Sequence, residues 1–567
     1  MAWLYPGRHR SSFSSFFIRV TLLVALLFSA VAGAAPLPEA SAQATPQVNL
    51  TVNAATNVYP FAPTMRGVAM NNWNWLWGGI RDLTSAKRKA LQDATSYLKP
   101  GVIRFAGGLW VNRTGWSRSG AAPDDGAWAY TDPVTSQTYS YTHAYKPSLI
   151  DSYAQFARDL NAQTVMQVNI CDNNPAMWAD LLRYTNVEHT YNFKYWELGN
   201  ELDLDGCVTS AQYAQRFAAY ATALKAVDPA IQLLGPVPTM PYKTAWYQDL
   251  LTQMGSGLDV LTWHWYQLTN WSSDPTTFAY EGGSVAALLE YRNNVGSVCH
   301  DGFGCYGQDT PLSRLDRMTY RRGIAEAMKQ TVIAPNRQTY PQAKTAITEI
   351  GPHASAHTSP INSNHIAAIW LGDMLGRWAY NGLDILTYYS LEDGSTSGGN
   401  SRGLLGIDNN QALDVRPIYS TAFLYAQHFG DMMVQSSSDD PEQKVVVWAS
   451  TDSKDPGALK LMLVNLKGTS VVSNLQVQGF TPTVGYAYEM TSTDPLSLSS
   501  PFPYTNPTTT INGVAIPDYQ VTSPAVFQNA IAAIQPKQVT ASTNFTYTLP
   551  AYSVVALTLR SSGNAAR

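Results

Sequence analysis

Phe193-Lys194-Tyr195-Trp196-Glu197-Leu198-Gly199-Asn200-Glu201 is the stretch whose reading decides the fold. Its short run of aromatic and aliphatic residues makes a strand, Gly199 ends it, and Asn-Glu stands at the exit. A carboxylate at the carboxyl end of a buried parallel strand is where (β/α)8 barrels keep their chemistry. That reading requires seven further strands and a second carboxylate. Lys344-Thr345-Ala346-Ile347-Thr348-Glu349-Ile350-Gly351 repeats the pattern 148 positions on (349 minus 201), again with Glu near the exit. Two carboxylates facing each other across one mouth are the minimum apparatus for cleaving an acetal.

Outward from these two runs, the chain alternates short apolar segments with helical patterns. The strands expected are 64–71, 101–107, 164–170, 194–201, 232–238, 258–266, 344–351 and 384–391. Helical periodicity covers 148–161, 211–227 and 364–381 among the connections. This βα alternation predicts an α/β fold, a (β/α)8 TIM barrel over about 60–413. Beyond Asp414 the texture changes to alternating segments at 444–450, 458–466, 469–476, 485–491 and 546–560, separated by Gly, Pro, Asn and Ser. These predict a C-terminal antiparallel β-sandwich over 414–560, with the strand-like 47–58 joining it or standing before the barrel. Two connections, 109–146 and 267–343, are too long to be plain turns and are expected to shape a cleft.

The 567-residue chain is rich in Trp and Tyr, with a formal net charge of −4. That balance excludes the basic footprint of a nucleic-acid partner and suits flat, hydroxyl-rich ligands. Arg8, Arg10 and Arg19 precede an apolar run from Val20 to Val31, then Ala32-Gly33-Ala34. This reads as a secretory signal over 1–34, with Ala42-Gln43-Ala44 as a later cleavage point. The run is short of the ~20 residues a membrane span needs, so no stable insertion is expected after its removal. The four cysteines fit an exported chain. Cys299 and Cys305 lie close enough to bridge one loop, and Cys171 and Cys207 follow the third and fourth strands, where they could meet at the mouth.

Acetal cleavage needs one group to protonate the leaving oxygen and one to meet the charge forming at the anomeric carbon; Glu201 and Glu349 are the natural pair. Asn200 is placed to hydrogen-bond a sugar hydroxyl. Arg104, inward on the second strand, is placed to hold Glu349 ionised, and His264 and Tyr266 on the sixth strand to orient it. Glu197 lies a pleat deeper, as a buried partner of Arg104. Gln167 and Asn169 share the inward face of the third strand, with Asn169 expected beside the substrate. Asp203, Asp205 and Glu392 are the mouth carboxylates that rival the pair. His353 and His357 have a ligand-like spacing, but Pro352 makes theirs a loop and not a metal-binding helix. No Gly-x-Ser-x-Gly elbow offers a serine nucleophile, and no metal or cofactor is expected.

These residues resemble those of the retaining glycoside hydrolases of clan A. The likeness is to the heparanase and β-glucuronidase family, carried by Lys99-Pro-Gly-Val-Ile-Arg-Phe-Ala-Gly-Gly108, Trp196-Glu-Leu-Gly-Asn-Glu201, Leu261-Thr-Trp-His-Trp-Tyr266, the strand ending in Glu349, and Leu549-Pro-Ala-Tyr-Ser-Val-Val-Ala-Leu557. The resemblance implies Glu201 as acid/base and Glu349 as nucleophile, with Asn200, Arg104, His264 and Tyr266 supporting them. It also implies a secreted enzyme cleaving β-glycosidic bonds, including those of uronic-acid-containing chains. The chain departs from the heparanases after the nucleophile, where Pro352-His-Ala-Ser-Ala-His357 replaces a Gly-rich loop. Arabinofuranoside- or xyloside-cleaving clan A enzymes, and a sugar-binding protein on the same scaffold, are the alternatives.

Overall fold

A computed structural model describes residues 47–70, 85–123, 125–241, 243–268, 285–292, 321–354, 360–394, 402–407, 412–496 and 508–561. The signal segment, His357, Cys299 and Cys305 lie outside the described residues. Eight strands close into a barrel in chain order. They are β1 (Gly67–Ala69), β2 (Val102–Phe105), β3 (Gln163–Val168), β4 (Tyr195–Leu198), β5 (Gln232–Pro236), β6 (Val260–Leu268), β7 (Lys344–His353) and β8 (Ile385–Tyr389). All eight pairings are parallel. The run 64–71 shortens to three strand residues, because Pro63–Arg66 forms a helical turn instead.

The barrel interior is layered by the period of two. Val102, Val165, Tyr195, Leu234, Val260, Ala346 and Ile385 form one apolar cluster, a floor to which every strand but β1 contributes. Two residues further along, on the same face, stand Arg104, Gln167, Glu197, Thr262, Thr348 and Thr387, all buried. The chemistry begins in this second layer. On β7 the period breaks: Trp263 pairs with Ile347 but His264 pairs with Glu349, leaving Thr348 as an extra residue. Without that bulge Glu349 would take the outward parity of Ile347; with it the carboxylate turns inward.

The second layer of the molecule is one rolled sheet. It runs through Val484–Ser492, Ser553–Arg560, Ala458–Asn465, Val445–Thr451, Met432–Ser438, Gln47–Pro60, Val471–Gln478 and Asn544–Leu549. Alternation along Val445–Thr451 shows how it packs. Val445, Val447 and Ala449 enter the sandwich's own core, whereas Val446 and Trp448 join the core shared with the barrel. The change of texture at Asp414 falls one helix early. Pro417–His428 is helical and packs between the helices Ser85–Ser96 and His365–Tyr380, its Tyr419 hydroxyl donating to the Ala94 carbonyl and its Tyr425 hydroxyl to that of Gly372. It completes the outer ring, and the sandwich strands start at Met432. Among the described residues no helix is long and apolar enough to cross a membrane.

Candidate active site

Glu201 leaves β4 in a left-handed conformation, φ 48° and ψ 47°, with its N–H donating to the Val237 carbonyl at 3.0 Å. Gly199 makes the exit possible. Its φ is +84°, and a Cβ there would lie 2.9 Å from Leu202 Cδ1. Glu349, brought inward by the β7 bulge, lies opposite. One oxygen of each carboxylate and one ring nitrogen of His264 all fall within 4.8 Å of one another.

Arg104 organises the layer beneath. It is fully buried and donates to Glu197 (2.6 Å), Glu349 (2.7 Å) and the Asn200 side-chain oxygen (2.7 Å). Gln167 adds a second donor to Asn200 at 3.1 Å and accepts from the Gly107 N–H at 2.5 Å. The oxygen of the Asn200 amide is thereby committed, and its Nδ2 has no partner among the described residues. The Tyr266 hydroxyl donates to the other Glu349 oxygen at 2.6 Å.

His264 departs from expectation. Its Nδ1 lies 2.8 Å from Glu201 Oε1 and 3.7 Å from Glu349, so it orients the carboxylate on β4 more directly than its strand neighbour. Its Nε2 faces Arg104 Nη2 at 3.4 Å. Burial works against charge on this ring, but Glu349 and Glu201 overcome it and favour the imidazolium, whose Nδ1–H donates to Glu201. Asn169 also differs. It donates to the Thr114 carbonyl at 3.1 Å and accepts from the Cys171 N–H at 2.8 Å, bracing a loop instead of meeting the carboxylates. His353 sits buried within β7 and not in a loop. The rival carboxylates Asp203 and Asp205 have other partners: Asp203 holds Thr239, and Asp205 pairs with Arg113. Cys171 and Cys207 are joined by a disulfide that ties the ends of β3 and β4 together.

The two carboxylates are pushed apart electrostatically. Burial raises Glu201, and this outweighs the opposing pull of its hydrogen bond to His264. Burial also works to raise Glu349, but His264, Arg104 and the Tyr266 hydroxyl overcome it and hold the carboxyl down at about 2. One group is thus kept ionised while its neighbour favours the proton. The trio of Glu201, His264 and Glu349 also has the proximity of a metal site. Both Glu349 oxygens are already taken by Arg104 and Tyr266, however, and a guanidinium 2.7 Å away supplies the positive charge an ion would bring.

Above the carboxylates lies a cleft of about 450 Å³, walled by Leu109, Trp110 and Arg113 on one side and Tyr389 and Arg402 on another. Arg402 stands 5.6 Å from the Tyr266 ring centre and 5.4 Å from that of Tyr389. Neither arginine nor Trp110 is a strand residue, so the period-two reading that found Arg104 did not reach them. The long connection 109–146 supplies the first wall, as its length suggested. It folds into a helical turn, Leu109–Arg113, and a small sheet of Thr114–Trp116, Asp125–Thr131 and Thr138–Tyr145.

Fold and site together give the barrel architecture of the clan A glycoside hydrolases, with one glutamate just past β4 and the other within the carboxyl half of β7. Residues 152–277 match the family model described as glycosyl hydrolase family 79, N-terminal domain. That segment carries Asn200, Glu201, His264 and Tyr266, but neither Arg104 nor Glu349. In sequence the chain is similar to the intracellular exo-α-(1→5)-L-arabinofuranosidase 1 of Bacillus subtilis, 26% identical over 239 residues, 36% of this chain and 45% of that protein. It is also similar to α-L-arabinofuranosidase C of Emericella nidulans, 28% identical over 188 residues, 30% of this chain and 37% of that protein. The matches thus span less than half the length of either relative. In structure, an α-L-arabinofuranosidase from Thermotoga maritima superposes with a TM-score of 0.62 at 16% identity, over 91% of this chain and 100% of that one. Cel44A, a family 44 endoglucanase from Clostridium thermocellum, gives 0.56 at 14% over the same shares.

Proposed function

We propose that the protein is a secreted, retaining glycoside hydrolase. The observation that carries this is the pair Glu201 and Glu349, held with oxygens within 4.8 Å of each other and shifted in opposite protonation directions. Such closeness suits double displacement, for which carboxylates stand roughly 5–5.5 Å apart, and leaves no room for the water an inverting enzyme places between them. In the first step Glu349 attacks the anomeric carbon while Glu201 gives its proton to the departing oxygen. In the second, the Glu201 carboxylate takes a proton from water as that water displaces Glu349. The buried Nδ2 of Asn200 offers a donor to a hydroxyl beside the reacting carbon.

Two sugars have specific support. The sequence relatives favour an α-L-arabinofuranoside. Arg402, a cation at the cleft wall, favours a substrate bearing a carboxylate, the uronic-acid reading. Secretion rests on the leader sequence and on the Cys171–Cys207 disulfide, a bond that persists in oxidising compartments. The test is a panel of aryl α-L-arabinofuranosides, β-xylosides and β-glucuronides given to the purified mature chain. Proton NMR of the first-formed sugar should show retained anomeric configuration. Inversion, or binding without turnover on every glycoside and polysaccharide tried, would overturn the proposal.

A further inference from the structure

Asn112 is a buried side chain for which neither the barrel nor its second layer has a use. It lies on the helical turn Leu109–Arg113, off the strands, and is 5% exposed. Its Oδ1 accepts from the Asn200 N–H at 3.1 Å, and its Nδ2 donates to the Asn200 carbonyl at 2.7 Å. One amide therefore satisfies both backbone groups of Asn200, as a neighbouring strand would. The same Nδ2 reaches Asp205, the last residue of the turn Leu202–Asp205 that Glu201 caps, at 2.8 Å. Arg113 adds a second link to Asp205 at 3.0 Å, and Trp110 of the same turn walls the cleft.

The segment thus gripped is the one that aims Glu201. Among the described residues no backbone strand pairs with Asn200 at this point, since the β4 ladders end at Leu198 on one side and Glu197 on the other. We infer that Asn112 is a positioning residue for the acid/base: it fixes the left-handed exit through Asn200 and Asp205, and so sets where the Glu201 carboxyl delivers its proton. This rests on the assignment of Glu201 as acid/base given above.

The effect should depend on how much proton donation the substrate needs. With Asn112→Ala, kcat toward an aryl glycoside with a basic leaving group should fall about 100-fold, the scale of a 1 Å misplacement. A dinitrophenyl glycoside, which departs without a proton, should lose less than about 5-fold in the step that forms the intermediate. The decisive comparison is a double-mutant cycle with Glu201→Ala. Once the acid is gone, adding Asn112→Ala should cost nothing more. A further loss in that background, or equal losses on both substrates, would overturn the inference. Asn112→Asp keeps the volume and the acceptor for the Asn200 N–H, and takes the same cycle if the alanine variant does not fold. A Glu201→Ala variant with normal turnover of the basic leaving group would instead sink the acid/base assignment itself.

Discussion

At the scale of single residues, the site works through the opposite protonation of two neighbouring carboxyls. Glu349 is held near 2, so it is ionised at every ordinary working pH. Glu201 is raised by burial, so activity should decline as pH climbs through its elevated value and the acid loses its proton. His264 pulls Glu201 down; with His264→Gln the alkaline limb of kcat/KM should move to higher pH, even as the rate falls. Tyr266→Phe removes a donor to Glu349, so the acid limb should move up and kcat fall about 10-fold or more. A pH profile unmoved in either variant would remove these partners from the mechanism. Glu201→Ala supplemented with azide should give a β-configured adduct from a β-glycoside substrate, and Glu349→Ala the opposite anomer. The carboxylates themselves were legible in the sequence, since a barrel that only had to fold would bury apolar residues at both strand exits and not two glutamates. Among their partners, Arg104 and Tyr266 were legible down to the carboxylate they meet, whereas others were legible only by face. Parity placed His264 inward but not which carboxylate it meets, and it placed Asn169 inward without giving its depth. Glu349 itself faces inward only because Thr348 is accommodated as a bulge, which no alternation rule anticipates.

Among the elements, the helix His365–Tyr380 carries the joint between barrel and sandwich. A Cβ at Gly376 would lie 2.2 Å from the Trp448 ring. Alanine in a helix is ordinarily favoured over glycine by about 1 kcal/mol, but overpacking here should outweigh it, giving a net destabilisation of about 1–2 kcal/mol by denaturant unfolding. The same helix begins with His365, whose Nε2 lies 2.7 Å from the Tyr552 carbonyl and Nδ1 3.0 Å from Thr509 Oγ1. Burial holds this ring neutral and lowers it to about 4, against 6.5 for a free histidine. The unfolded chain therefore takes up a proton first as pH falls. The joint should be fully stable above about pH 6.5 and lose stability progressively down to about 4, by an amount on the order of a few kcal/mol. His365→Gln should flatten that dependence of Tm on pH; an equally steep decline would locate its cause elsewhere. The helix Pro417–His428 shows why an element was missed: it follows a strand directly at Asp414, and its Tyr, Ser and Thr content blurs the apolar stripe that periodicity reads.

Over the whole molecule, the barrel was legible because its strands are buried on both faces and helical patterns fill the crossovers, two constraints that leave few topologies. The sandwich was legible as alternation, but its pairing was not, since alternation says nothing of which strand lies beside which. The strand Gln47–Pro60 is the case in point. It lies between Met432–Ser438, antiparallel, and Val471–Gln478, parallel. Deleting residues 47–60 should therefore split the sheet, freeing the pair Val471–Gln478 and Asn544–Leu549, and lower Tm by well over ~10 °C. Retained Tm would mean the remaining strands close the gap unaided.

That placement also orders events on the ribosome. The strand emerges before any of the barrel, yet its neighbours on both sides are made some 370 residues or more later (432 minus 60 is 372). Until then it is a bare β-segment with both edges open, a template for any other nascent chain nearby. The barrel between them can close on its own helices while it waits, but the sandwich cannot begin. The Gln47–Pro60 strand is thus threaded into the interior of a sheet made after the barrel, and a chain released early would expose that segment to aggregation.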